Sequence, residues 1–116
     1  MTGGRRRNSL AVTDAFKAFV LDQLGEVGDI MPRLMFGGVG LYHRGVFFGI
    51  VARDVLYLKV DDSNRTDYER AGMKPFKPYP NRPTTMQYYA VPVQVLESVI
   101  DLARWARKSI AVAAAK

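Results

Sequence analysis

Apolar and polar positions alternate most densely between Arg33 and Asp61, and the rest of the chain is arranged around that stretch. Val, Ile, Phe, Tyr and Leu dominate it, and Gly-rich or charged breaks cut it into short pieces. That is the pattern of a compact antiparallel sheet. His43-Arg44-Gly45 is a turn signal, and Arg53-Asp54 separates two apolar runs by two residues, as a tight hairpin does. The hairpin sets Ala52 opposite Val55, Val51 opposite Leu56, Ile50 opposite Tyr57 and Gly49 opposite Leu58. The face carrying Phe47, Gly49, Val51, Leu56, Leu58 and Val60 is then almost wholly apolar and is predicted to be the core face. The other face, with Phe48, Tyr57 and Lys59, is half polar. A slip of one residue would exchange the two faces, so the apolar content pins the register.

Helical spacing flanks this sheet. Thr13 is a good N-cap with Asp14 in the first turn, and Phe16, Phe19, Val20 and Leu24 recur on one face. Gly25 and Gly28 stop that helix, predicted from about Thr13 to Leu24. Asp61-Asp62-Ser63-Asn64 is dense in capping residues and opens a short surface crossover helix through Tyr68 and Ala71, ending at Gly72. Pro75, Pro78, Pro80 and Pro83 restrict residues 73–83 to an extended edge or an ordered loop. Residues 84–90 alternate as a last strand, with Met86 and Tyr88 on one face and Thr85, Gln87 and Tyr89 on the other. Pro92 begins a final helix predicted to run to about Val112 or beyond, with a stripe of Leu96, Val99, Ile100, Ala103, Ala106 and Ile110. Asp101 and Arg104 can pair across one turn, and Trp105 lies at the edge of the stripe.

Strands bracketed by helices indicate an α+β fold, an antiparallel β-sheet with N-terminal, crossover and C-terminal helices packed on it. The 116 residues suffice for one domain. Residues 1–10 read as a disordered basic arm and residues 11–116 as a single domain. The chain has no Cys, which excludes disulfides and thiolate chemistry and is compatible with a cytoplasmic location. No apolar run approaches the ~18 residues of a membrane helix. Asp14, Lys17 and Asp22 interrupt the only stretch resembling an export signal.

Charge adds one feature to this picture. The chain carries 17 Lys and Arg against 11 Asp and Glu, a net +6. Residues 8–73 hold 7 basic and 9 acidic side chains, so the excess lies elsewhere. It comes from Arg5, Arg6 and Arg7, from Lys74, Lys77 and Arg82, and from the last helix, including Arg107. These are the candidate nucleic-acid contacts, set against the simpler reading of solubility and a basic tail.

Catalytic constellations are weak. His43 is the only His and sits in a hairpin turn with no second metal-ligand type nearby. Phe36-Gly37-Gly38-Val39-Gly40 lacks the Lys-Ser or Lys-Thr and the helix that a phosphate loop needs, so its glycines point to a turn, a bulge or close backbone approach. Asp61-Asp62 reads as a cap. No Ser stands in a nucleophile-elbow context. Tyr42, Phe48, Tyr57, Tyr88 and Tyr89, near Lys59 and Arg44, either stack single-stranded bases on an open sheet face or pack under the helices. The absence of an RNP-type pattern favours packing.

The segments Arg33-Leu-Met-Phe-Gly-Gly-Val-Gly-Leu-Tyr42, Gly45-Val-Phe-Phe-Gly49, Leu56-Tyr-Leu-Lys-Val-Asp61, Tyr68-Glu-Arg-Ala-Gly72, Pro75-Phe76, Met86-Gln-Tyr-Tyr89 and Leu102-Ala-Arg-Trp-Ala-Arg107 resemble the N-terminal domain of the TfoX/Sxy family of bacterial competence regulators. The resemblance runs from about Phe16 to Ala111. It implies a small α+β domain, of the kind also seen in YjbR-like and secretion-chaperone-like proteins, with no enzyme activity, catalytic residues, metal or cofactor. Full-length members are thought to assist transcription of DNA-uptake genes with the cyclic-AMP receptor protein. They carry a second, C-terminal helical domain, and this chain is expected to be the N-terminal domain alone.

The leading expectation is thus a non-enzymatic, cytoplasmic regulatory or adaptor module acting through protein contacts. Its candidate surface is Arg33, Gly37, Gly38, Gly40, Tyr42, Lys59 and Tyr89. Direct nucleic-acid binding through the basic arm and loop is the alternative, and a small-ligand-binding protein is a third class. A homodimer is a further expectation, because a small open sheet leaves edges to cover.

Overall fold

The computed structural model describes residues 10–78 and 86–115. Three successive hairpins build the sheet from β1 (Ile30–Met35), β2 (Gly38–His43), β3 (Val46–Ala52) and β4 (Val55–Lys59). In each two-residue loop both residues have positive φ: Phe36 51° and Gly37 85°, Arg44 49° and Gly45 84°, Arg53 52° and Asp54 58°. That is the type I′ signature, whose twist matches the strands it joins. β5 (Tyr88–Ala90) pairs with β4, giving the antiparallel order β1-β2-β3-β4-β5.

The predicted β3–β4 register is the observed one: Ala52 faces Val55, Val51 faces Leu56, Ile50 faces Tyr57 and Gly49 faces Leu58. The predicted faces fail at one place. Leu41 pairs with Gly49, but Tyr42 pairs with Phe47, so Phe48 is an extra residue in β3. Beyond this bulge the alternation is inverted. Phe48, expected on the half-polar face, is wholly buried in the main core, and Phe47, expected in that core, joins the opposite face.

The main core lies between the sheet and the helices. α1 (Asp14–Gln23) is capped as predicted, with Thr13 Oγ1 accepting from the Phe16 amide at 3.1 Å. A 3-10 turn (Leu24–Glu26) follows it. Val20 and Leu24 meet Val39, Leu41, Phe48, Val51, Leu56 and Leu58 from the strands. Gly38 is fixed by close approach: a Cβ there would stand 2.7 Å from the Val51 carbonyl oxygen on the neighbouring strand. The crossover helix α2 (Arg65–Arg70) is anchored more firmly than its pattern implied. Its Tyr68 is buried and meets Trp105 edge-on at 4.6 Å between ring centroids.

The C-terminal helix is not the single element expected. α3 (Val93–Leu96) follows Pro92, the chain breaks at Glu97–Ser98, and α4 (Val99–Ala114) restarts. Ser98 causes the restart by capping, its hydroxyl accepting from the Asp101 amide at 3.1 Å. The break rotates the buried stripe to Leu102, Ala103, Ala106, Ser109 and Val112. Val99 and Ile100, predicted inside, are instead exposed.

The Pro-rich segment forms an extended edge where it is described. The Phe76 amide donates to the Tyr88 carbonyl at 2.7 Å, and the Ala90 amide to the Lys74 carbonyl at 3.2 Å. Phe76 thereby joins Ile50, Ala52 and Tyr88 in a second, smaller core on the face away from the helices, with Leu10 and Met86 packed against it. No helix among the described residues is long and apolar enough to cross a membrane.

Candidate interaction surfaces

The β1–β2 hairpin exposes a row of large apolar side chains. β1 is the sheet edge, where the missing N–H of Pro32 is tolerated. Leu34 is 84% exposed and Phe36, at the turn, 87%. Phe36 combines that exposure with a left-handed backbone, a conformation that costs a bulky residue about 1–3 kcal/mol. Burial of its ring inside this chain offsets none of that cost.

The sheet face away from the helices carries a second arrangement, a continuous row of rings. Tyr42 stacks on Phe47 at 5.1 Å, and Phe47 meets Tyr88 at 5.5 Å. Cations close both ends: the Arg33 guanidinium lies 5.6 Å from the Tyr42 ring centre and Lys59 Nζ 5.1 Å from that of Tyr88. Gly40 leaves room for the row, since a Cβ there would stand 3.0 Å from Met35 Cε and 3.2 Å from Phe47 Cε1. Tyr88 is buried, and desolvation, aided by Tyr42, pushes its phenol up to about 12.

Beside Tyr42 opens a cleft of about 730 Å³ lined by Asp29, Ile30, Met31, Arg33, Tyr42, Arg44 and Gly45. Arg44 Nη2 lies 2.9 Å from Asp29 Oδ2, with both side chains largely in solvent. His43, the last residue of β2, places Nδ1 3.0 Å from the Gly28 carbonyl oxygen and so ties the end of β2 to the segment before β1.

The residues weighed for catalysis have structural bonds. Asp61 Oδ1 accepts from the amide of Ser63 at 2.8 Å, and Asp62 pairs with Arg65. Ser109 Oγ donates to the Lys59 carbonyl at 2.8 Å. Among the described residues no group of three His, Cys, Asp or Glu side chains could hold a metal ion.

The family model for the TfoX N-terminal domain matches residues 22–113. This chain belongs to the TfoX N-terminal domain family. Membership fits a regulatory or adaptor role at the level of the family as a whole. No curated protein matches the sequence.

Within this TfoX N-terminal domain, the structure brings together part of the surface expected from sequence. Arg33, Gly40, Tyr42 and Lys59 lie along the ring row, whereas Gly37 completes the hairpin turn after Phe36 and Gly38 opens β2 opposite Met35. Tyr89 does not belong with them. It pairs with Leu58, so it faces the helices, where its ring meets Tyr68 at 5.9 Å. Arg107 donates to the Glu26 carbonyl at 2.9 Å and braces α4 against the 3-10 turn. Lys74 and Lys77 are exposed, on the extended edge away from Arg107. Arg5, Arg6, Arg7 and Arg82 lie outside the described residues.

Three side chains were missed by sequence reasoning: Leu34, Phe36 and Phe47. A signal existed for the first two. Pairing Met35 with Gly38 leaves Phe36-Gly37 as a two-residue loop, which puts Phe36 at the apex and Leu34 on the edge strand. Phe47 was hidden by the bulge.

Proposed function

We propose that this TfoX N-terminal domain is a non-enzymatic adaptor that works in the cytoplasm by holding a protein partner on its β1–β2 hairpin, as a co-regulator of transcription. The observation that carries the reading is Phe36. A phenyl ring 87% exposed, on a left-handed residue beside an 84% exposed Leu34, is destabilising to the isolated domain. A partner pocket that buries both side chains recovers that cost as binding energy. The family resemblance supplies the partner class, a transcription factor of the cyclic-AMP receptor protein type at promoter DNA.

Fluorescence anisotropy of labelled promoter DNA tests it, with the receptor protein, this domain, or both. The expected result is a further rise in anisotropy on adding the domain to the receptor–DNA complex, lost in Phe36→Asn and Leu34→Ser. No further rise, or a rise that both variants retain, would overturn the hairpin as the docking site.

A further inference from the structure

We propose that the sheet face away from the helices is a second, separate binding site, for a single-stranded nucleic acid. The ring row and the cleft beside it are the two halves of this site. Bases would stack at Tyr42 and Phe47, and phosphates would meet Arg33, Arg44 and Lys59.

Charge is the first argument. The five strands contain no Asp or Glu, while Arg33 and Lys59 both project from them onto this face. All the acids of the described chain lie in helices, turns and loops. The sheet face is therefore positive by its own side chains, and it complements a polyanion. Asp29 is the exception at the cleft's edge. Its partner Arg44 is held only by an exposed ion pair, which contributes little and is readily exchanged for a phosphate.

The alternation of rings with cations is the second. Tyr42 and Phe47 are half-buried, so each is braced by its neighbours and still presents part of its ring. Tyr88 is buried and backs the row. Braced rings between cations are what sequence-tolerant base stacking requires, because every base has a π face and every linkage a charge. The cleft's volume of about 730 Å³ lies within the range of small-ligand sites and admits a nucleotide beside Tyr42. A duplex keeps its bases stacked inward and cannot use the rings, which selects the single strand. An acidic peptide would use the cations and leave the rings idle.

The bulge builds this site. By inserting Phe48 into the core it turns Phe47 outward between Tyr42 and Tyr88. A regular β3 would leave a gap in the row.

The test is anisotropy of a labelled twelve-nucleotide oligothymidine across a salt series, with a duplex of equal length and a poly-glutamate peptide as competitors. The domain should bind the single strand in preference to both. Tyr42→Ala should weaken binding by about ten-fold while Tyr42→Phe retains it. Arg33→Gln, an exposed substitution that leaves the fold intact, should reduce the salt slope by about 0.7, the loss of one phosphate contact. These effects should persist when Arg5, Arg6 and Arg7 are all changed to Gln, and in Phe36→Asn, which separates this site from the hairpin. Absent binding would overturn the proposal. So would equal competition by duplex or poly-glutamate, or wild-type affinity in a folded Tyr42→Ala.

Discussion

The carboxylate of Asp54 grips Thr13 twice: Oδ1 accepts from the Thr13 amide at 2.8 Å and Oδ2 from its hydroxyl at 3.0 Å. Thr13 is the N-cap of α1, and Asp54 is the second loop residue of the β3–β4 turn, so one side chain ties the first helix to the far end of the sheet. Asp54→Ala removes both bonds and leaves a less tolerant residue at φ 58°. It should lower stability by about 1–3 kcal/mol in urea denaturation. Asp54→Asn, which keeps one acceptor and tolerates that backbone, should cost less than half as much.

The turn at Phe36 predicts the opposite sign. Phe36→Asn replaces a bulky residue with one suited to the left-handed region and removes an exposed ring. It should raise stability by about 1 kcal/mol in the same measurement. A stability gain coupled to loss of partner binding would mark the turn as a site retained for function. A loss of stability would show that the ring supports the fold.

Tyr68 and Ser109 separate a buried hydroxyl that bonds from one that does not. Among the described residues the Tyr68 hydroxyl has no hydrogen-bond partner, whereas Ser109 shares the Lys59 carbonyl with the side-chain amide of Asn64, which donates at 3.1 Å. Tyr68→Phe removes an unsatisfied group and should leave stability within about 0.5 kcal/mol of wild type or raise it. Ser109→Ala should cost about 1 kcal/mol, because Asn64 still satisfies the carbonyl. A large loss in Tyr68→Phe would mean that the Ser109 oxygen, which lies close enough to offset part of the phenol's shift, is a true partner.

Alkaline pH should unfold the domain through its buried phenols. Desolvation raises Tyr88 from 10.0 to about 12 and moves Tyr68 upward further still. Both favour the neutral form in the folded state. Their contribution is therefore fully present below about pH 10, where the unfolded phenol ionises, and declines as pH rises toward the folded values. Tyrosinate absorbance recorded with circular dichroism should show a last ionisation step that coincides with loss of structure. Tyr88→Phe should shift that loss to higher pH. Ionisation of all six tyrosines with the fold intact would contradict the burial of these two.

Local pattern carried most of the fold and only part of the surfaces. The β3–β4 register was legible because two residues, Arg53 and Asp54, separate matched apolar runs. The bulge at Phe48 was not, because Val-Phe-Phe-Gly reads as regular strand and only the neighbouring β2 shows where the count slips. The break before α4 was hidden for a related reason. Ser98 is an ordinary helix-surface residue until its hydroxyl turns back to cap the Asp101 amide. Burial of Tyr68 depends on Trp105, which is distant in sequence and reaches it only after α4 docks. The ring row needs side chains from all five strands and was out of reach of any single window of sequence.

Each strand of the sheet is hydrogen-bonded to the next strand in the chain. The first four can therefore zip hairpin by hairpin, each closing a loop of two residues at little entropic cost. The exception is α4, whose Ser109 must find Lys59 from 50 positions away. Assembly then divides into a fast, local step that forms the sheet and a slower, distant one that seals its core.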